Sequence, residues 1–266
     1  MGTRTGRLSS SNPNLQQVPK SMHNIFIARP GYKLATYDMA GVEPAVIAAV
    51  TQDRFLCEIL IQGRNFHDVV TKLMIPYVDC LEKDVKKLYK AERDLCKQVD
   101  LSLFYGSGKN RIETTALLHG FKWSSQECKE KLDSFKSMFS GVFQAFQEIT
   151  EVLENGDTIY NMFGRPIKFE NPEDVYMKGF NTLIQSSASD MVISAAEKIQ
   201  TEFNTRQIPA HVILLVHDEI VSEIPDTYIR ECKEIIETEM TRISVDTQWG
   251  KIKFAVEGKI ANTWEK

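Results

Sequence analysis

The 266-residue chain predicts an α+β fold in which a helical lobe is set into an antiparallel sheet. Three observations carry this. "KLATYD" reads as a strand early in the chain. Residues 54–155 are mostly helical, with apolar positions spaced near 3.6, as in "DVKKLYKAERDLCKQVDLSLF". The late stretch "VILLVHDEIVSEIP", residues 212–225, reads as an apolar hairpin broken by three titratable residues. Strand, helical block and hairpin in that order describe an insertion between two parts of one sheet. The length suffices for one large domain or two modest ones.

Each element has its own local cause. Residues 1–23 carry turn and loop chemistry, with Gly, Ser, Asn and Pro clustered in "TGRLSSSNPNLQQVP". After "KLATYD", Pro44 suits the first turn of a helix running through "AVIAAVTQD". "NMFGRPIKF" reads as a hairpin turning at Gly164. "GFNTLIQSSASDMVISAAEKIQTEF" reads as a long helix with a small-residue face. "YIRECKEIIETEMTRI" is amphipathic at helical spacing, and "KFAVEGKIANTW" is a closing strand. No internal repeat or low-complexity linker interrupts the chain.

Composition excludes several classes. The chain is 42% hydrophobic and 26% charged, ordinary for a globular protein. No apolar run reaches the roughly 18–20 residues of a membrane span. Five scattered cysteines without a C-x-x-C pair argue against a disulfide framework or a zinc knuckle and suit a reducing cytoplasm. Net charge is −4, but no Asp or Glu occurs before Asp38, whereas Arg4, Arg7, Lys20, Arg29 and Lys33 are basic. That segment suits either a frayed basic terminus or a polyanion held beside a metal. Pro13 and Pro19 break any amphipathic transit helix, and Gly6 stands where myristoylation prefers Ser or Thr.

Asp38 ends a predicted strand, and Asp218 lies in the late hairpin, 180 residues further on. Either alone reads as a cap or turn residue. If "KLATYD" pairs with the hairpin, both reach one sheet edge, where they would repel without a cation. Hard oxygen ligands with no His/Cys cluster point to Mg²⁺, and two such ions about 4 Å apart suit in-line phosphoryl transfer. In "ERDLCKQVDLSLFYGSG", Arg93, Lys97, Leu101 and Tyr105 recur every four residues and form one slowly turning helical stripe. Such a stripe is either a solvated face, given Glu92 and Asp94 beside it, or a grip on a triphosphate and its base. "YGSGKN" is not a phosphate loop, since Leu103 and Asn110 stand where that pattern needs Gly and Ser or Thr.

Together the motifs resemble the C-terminal part of A-family DNA polymerases, the bacterial DNA polymerase I and phage replicative type. "TGRLSSSNPNLQQVP" is similar to that family's template–primer segment. "DMAGVE" resembles its first catalytic motif, usually D-Y-S-Q-I-E. "RDLCKQVDLSLFYG" resembles the second, R-x-x-x-K-x-x-x-[FY]-x-x-x-Y-G, and "VHDE" the third. "NTLIQSSASD" is similar to the family's N-A-x-x-Q-G-x-A-A-D helix. The resemblance spans the chain, and the order of the motifs makes it specific.

The resemblance implies an antiparallel palm sheet with a large inserted helical fingers lobe: palm over residues 1–51, fingers over 52–175 and palm again over 176–266. It implies template-directed addition of deoxynucleotides to a primer 3′ end. Asp38 and Asp218 would hold two Mg²⁺ ions, with Glu219 supporting the metal site or primer end. Lys97 would contact the incoming triphosphate and act as general acid. Arg93 and His67 would bind phosphates, and Tyr105 would close on the nascent pair. Glu43 would block a 2′-OH, which disfavours an RNA polymerase. Arg7, Asn14, Gln16, Asn181, Gln185 and His217 would contact the DNA. Leu101 departs from the family's Phe or Tyr and bears on sugar discrimination; Ala45, Asp100 and Ser186 replace the usual Arg, Asn and Gly.

Thumb and exonuclease-like domains are expected to be absent. The reasons could be a split gene whose second polypeptide carries them, an engineered fragment or an incomplete reading frame, and the split gene is the expectation adopted. Primer–template DNA and deoxynucleoside triphosphates are the other expected partners, with no membrane. The alternative to an enzyme is a non-catalytic nucleic-acid-binding or assembly module derived from a polymerase.

Overall fold

β1 (Tyr32–Ala40) is the central fact of the architecture, because strands from the far end of the chain pair on both its sides. The computed structural model describes residue 3 and residues 5–265, leaving aside the side chain of Met177; Arg4 of the basic leading segment lies outside them. The main sheet has the order β4–β5–β1–β8, formed with β4 (His211–Val216), β5 (Glu219–Pro225) and β8 (Ala255–Ala261). All its pairings are antiparallel, and Asp38 stands opposite Glu219 on one side and Glu257 on the other.

Between β1 and β4 the described residues form nine α-helices, α1 to α9. Helix α1 (Val42–Thr51) starts after Gly41, whose φ of 72° lets the chain turn sharply out of β1. Asp53 caps α2 (Arg54–Ile61) by accepting from Leu56 N at 2.9 Å, and its second oxygen accepts from Gly141 N at 2.9 Å. One carboxylate thus joins α2 to α8 (Ser140–Glu154). Asn65 caps α3 (Phe66–Met74). Then follow α4 (Glu82–Leu88), α5 (Lys90–Phe104), α6 (Lys109–Leu118) and α7 (Ser125–Met138), the last opened by a Ser124/Glu127 capping box. Phe66, Phe104, Phe135 and Phe139 meet at centroid separations of 4.8–5.9 Å and fill the middle of this lobe.

The expected small hairpin is present as β2 (Ile159–Tyr160) and β3 (Pro166–Ile167), with Gly164 at φ 79°. The long small-residue helix is α9 (Val175–Thr205), and the amphipathic one is α10 (Ile229–Arg242). A ribbon of β6 (Ser244–Thr247) and β7 (Gly250–Lys253) has no counterpart in the sequence reading. The leading segment is less irregular than expected, with short 3-10 turns at Leu15–Gln17 and Lys20–Ile25. One continuous core runs from Tyr37 and Met39 in the sheet through Phe104 in the helical lobe to Ile236 on α10. Among the described residues, no helix is long and apolar enough to cross a membrane.

Candidate active site

The β4–β5 hairpin answers why titratable residues interrupt an apolar stretch. Val216 pairs with Glu219, so His217 and Asp218 form a two-residue turn, and His217 takes a left-handed φ of 56°. The apolar strands hold the turn, whose tip projects His217 into solvent with Asp218 half-buried beside it. Met39 N donates to the Asp218 carbonyl at 3.3 Å, fastening the turn to the end of β1.

A cleft of about 630 Å³ opens there. Asp38, Asp218, Arg7 and His217 line it. So do Arg93, Lys97 and Leu101 from α5, His67 from α3 and Glu43 from α1. Nine expected site residues from five separate stretches therefore share one cavity. Arg7, His217, Asn14 and Gln16 also line an adjoining cavity of about 250 Å³. Asn14 serves there as a cap that accepts from Gln16 N, and Gln16 Nε2 donates to the Leu215 carbonyl at 3.2 Å.

Four expected site residues line neither cavity. Glu219 shares a sheet face with its opposite number Asp38, but its side chain is only 3% exposed and accepts from Trp264 Nε1 at 2.7 Å. The Trp264 ring stacks on His23 at 3.6 Å, so Glu219 is held under a lid of aromatic rings. Tyr105 packs 6.2 Å from Phe180; its hydroxyl is buried without a hydrogen-bond partner among the described residues, and burial pushes the phenol up. The Asn181 side-chain oxygen is likewise buried with no partner among the described residues, and Gln185 is half-buried on α9.

The stripe on α5 is only partly solvated, with Lys97 exposed and Leu101 half-buried. Arg93 is only 9% exposed; its Nε donates to Asp68 and one terminal nitrogen to Asn65, both at the start of α3. Asp68 and Asn65 were invisible to motif reading, as were Arg64, Lys86, Lys253 and Glu257, which also line the cleft. Burial raises the Glu43 carboxyl above its usual range; Arg7, 3.6 Å away, opposes this and Asp218 reinforces it.

The donor set can be tested against magnesium. Asp38 lies in register between two other carboxylate residues, with Asp218 in the same cleft, and like charges directly opposite on a sheet are destabilising without a counter-ion. Among the described residues no group of three or more His, Cys, Asp or Glu is arranged to hold a metal alone. Two carboxylates in an open cleft suit Mg²⁺, which keeps waters and takes other oxygens from substrate phosphates.

An antiparallel sheet with an inserted helical lobe thus carries one cleft lined by two aspartates and by the cations of α5. The chain belongs to DNA polymerase family A, whose family model matches residues 1–266. The DNA polymerase of Escherichia phage T5 is 28% identical over 266 residues, covering 88% of this chain and 31% of that protein. DNA polymerase I of Treponema pallidum (strain Nichols) is 29% identical over 254 residues, covering 90% of this chain and 24% of that protein. The POL domain of Pol1 from M. smegmatis, solved in complex with DNA primer-template and dNTP, superposes with a TM-score of 0.82 at 22% identity. That match covers 98% of this chain and 46% of that one, and it bears out the fold. The chain thus spans about a quarter to a third of the length of these two curated relatives. Nothing in the matches supports a second polypeptide.

Proposed function

We propose that this chain carries the catalytic portion of a template-directed DNA polymerase, which extends a primer 3′ end with deoxynucleotides. One observation carries the reading: two aspartates 180 residues apart line a single cleft together with Arg93 and Lys97. Phosphoryl transfer depends chiefly on positioning and charge neutralisation, and this cleft offers both. In this reading residues 1–51 and 176–266 form the palm and residues 52–175 the fingers.

Asp38 and Asp218 would hold two Mg²⁺ ions, which neutralise charge on the reacting phosphates and favour ionisation of the primer hydroxyl. Arg93 and His67 bind the triphosphate. Lys97 also contacts it and donates a proton to the leaving pyrophosphate. Glu43 excludes a 2′-OH, and Leu101 presents a smaller surface to the sugar than an aromatic would. Tyr105, packed behind the stripe, closes on the nascent pair. Arg7, Asn14, Gln16, His217, Asn181 and Gln185 steady the primer–template. Glu219 acts through the turn, with its carboxylate turned to Trp264. A phage or bacterial enzyme of this kind works in the bacterial cytoplasm.

The test is Mg²⁺-dependent extension of a labelled primer–template, by the chain alone and supplemented with a thumb-bearing polymerase fragment. Asp218→Ala is expected to abolish extension, a loss of at least about 10³-fold. If no condition gives extension that Asp218→Ala lacks, the reading fails.

A further inference from the structure

Two acid–base pairs cross the α3–α5 interface in opposite senses. Arg93 of α5 donates to Asp68 of α3, while His67 of α3 meets Asp100 of α5, with Nδ1 and Oδ2 2.7 Å apart. The second pair is unlike the first, because its carboxylate is fully buried while the His67 ring borders the cleft. The other oxygen of Asp100 accepts from Leu101 N at 2.6 Å. An ionised carboxylate only accepts, so Nδ1 carries a proton and the ring's free edge is Nε2.

Nε2 has two possible roles. In the neutral ring it would be an acceptor and would repel a phosphate oxygen. In the doubly protonated ring it is a charged donor, the form that phosphate binding selects. Cations outnumber acids around it: Arg7, Arg64, Lys86, Arg93, Lys97 and Lys253 line the same cleft, against Asp38, Glu43, Asp218 and Glu257. We propose that Asp100 is a positioning residue that locks the His67 ring through Nδ1 and balances its charge, so that Nε2 donates to the polyphosphate of an incoming nucleotide. The proposal rests on the polymerase reading and adds the charge state and orientation of one contact. It also gives Asp100 a task that the amide more usual at this place would perform without charge.

The test uses the whole chain with inorganic tripolyphosphate and, separately, with deoxynucleotide in primer extension. Asp100→Asn is isosteric and can still accept from Leu101 N. It is expected to weaken tripolyphosphate binding and raise the KM for deoxynucleotide about tenfold, the scale of one charge-assisted hydrogen bond, with kcat changed less than about twofold. In a His67→Gln background the same substitution should add almost nothing, since the two residues act as one. Nitrogen-15 NMR of the wild-type histidines needs no fold-sensitive variant, and only five histidines must be assigned. On saturation with tripolyphosphate, His67 should hold protons on both ring nitrogens.

The proposal is overturned if affinity is unchanged in Asp100→Asn, if the loss is equal in the His67→Gln background, or if Nε2 stays unprotonated in the bound state. Should Lys97→Ala lose tripolyphosphate binding while Asp100→Asn keeps it, this assignment falls and the polymerase reading stands. Should the wild type neither bind tripolyphosphate nor extend a primer, both fall.

Discussion

Glu43 shows how one residue can carry a stability cost at a functional place. Burial holds its carboxyl above the usual value of 4.5, and Arg7 offsets this only in part. The folded protein therefore keeps a proton at pH values where the unfolded chain has released it. Stability falls as pH rises above that value. Replacing Glu43 by Gln removes the slope, so the melting temperature of the variant minus that of the wild type should be larger at pH 7 than at pH 4.5. A difference independent of pH would show that Glu43 carries no such cost. Residues of this kind were legible in the sequence to different degrees. Asp38 and Asp218 stood out because carboxylates at strand ends are rare inside apolar runs. Asp68 and Glu257 did not, since an acid in the first turn of a helix or in a polar strand looks like any solvated charge until the rest of the cleft is known.

At the scale of elements, Gly258 decides how closely β8 approaches β1. It stands opposite Tyr37, and an added Cβ would overlap the Tyr37 ring. That ring is fully buried, with its hydroxyl 3.4 Å from Glu237 on α10 and its phenol pushed up to about 12, chiefly by burial. It cannot swing out without opening the face between sheet and helix. Gly258→Ala is expected to cost about 1–3 kcal/mol, read from urea denaturation midpoints. Because Asp38 is the next residue along β1, primer extension should fall more steeply than stability. A variant as stable as the wild type would show that the strands can part to make room. The long elements were readable from periodicity, as α9 and the β4–β5 pair show. The β6–β7 ribbon was not. Its strands have four residues each, too short for a period-2 signal, and "SVDTQWGKIK" is held by packing on α2 and by Trp249 Nε1 donating to the Gln52 carbonyl at 3.1 Å.

For the molecule as a whole, net charge misleads about its partner. The chain carries −4, yet Arg7, Arg64, Lys86, Arg93, Lys97 and Lys253 converge on one cleft. Primer–template binding, followed by fluorescence anisotropy, should weaken steeply with salt, the log–log slope growing by about 0.9 for each phosphate engaged. A salt-independent affinity would exclude a groove that tracks the backbone. The sheet order has a further consequence, for synthesis. β1 leaves the ribosome before its neighbours β5 and β8, which follow only after the helical lobe and α9 have been made. Until then both edges of an apolar strand stand open to any passing β-segment. The strand that bears Asp38 is thus an adhesive surface of the nascent chain for as long as the helical lobe is being made.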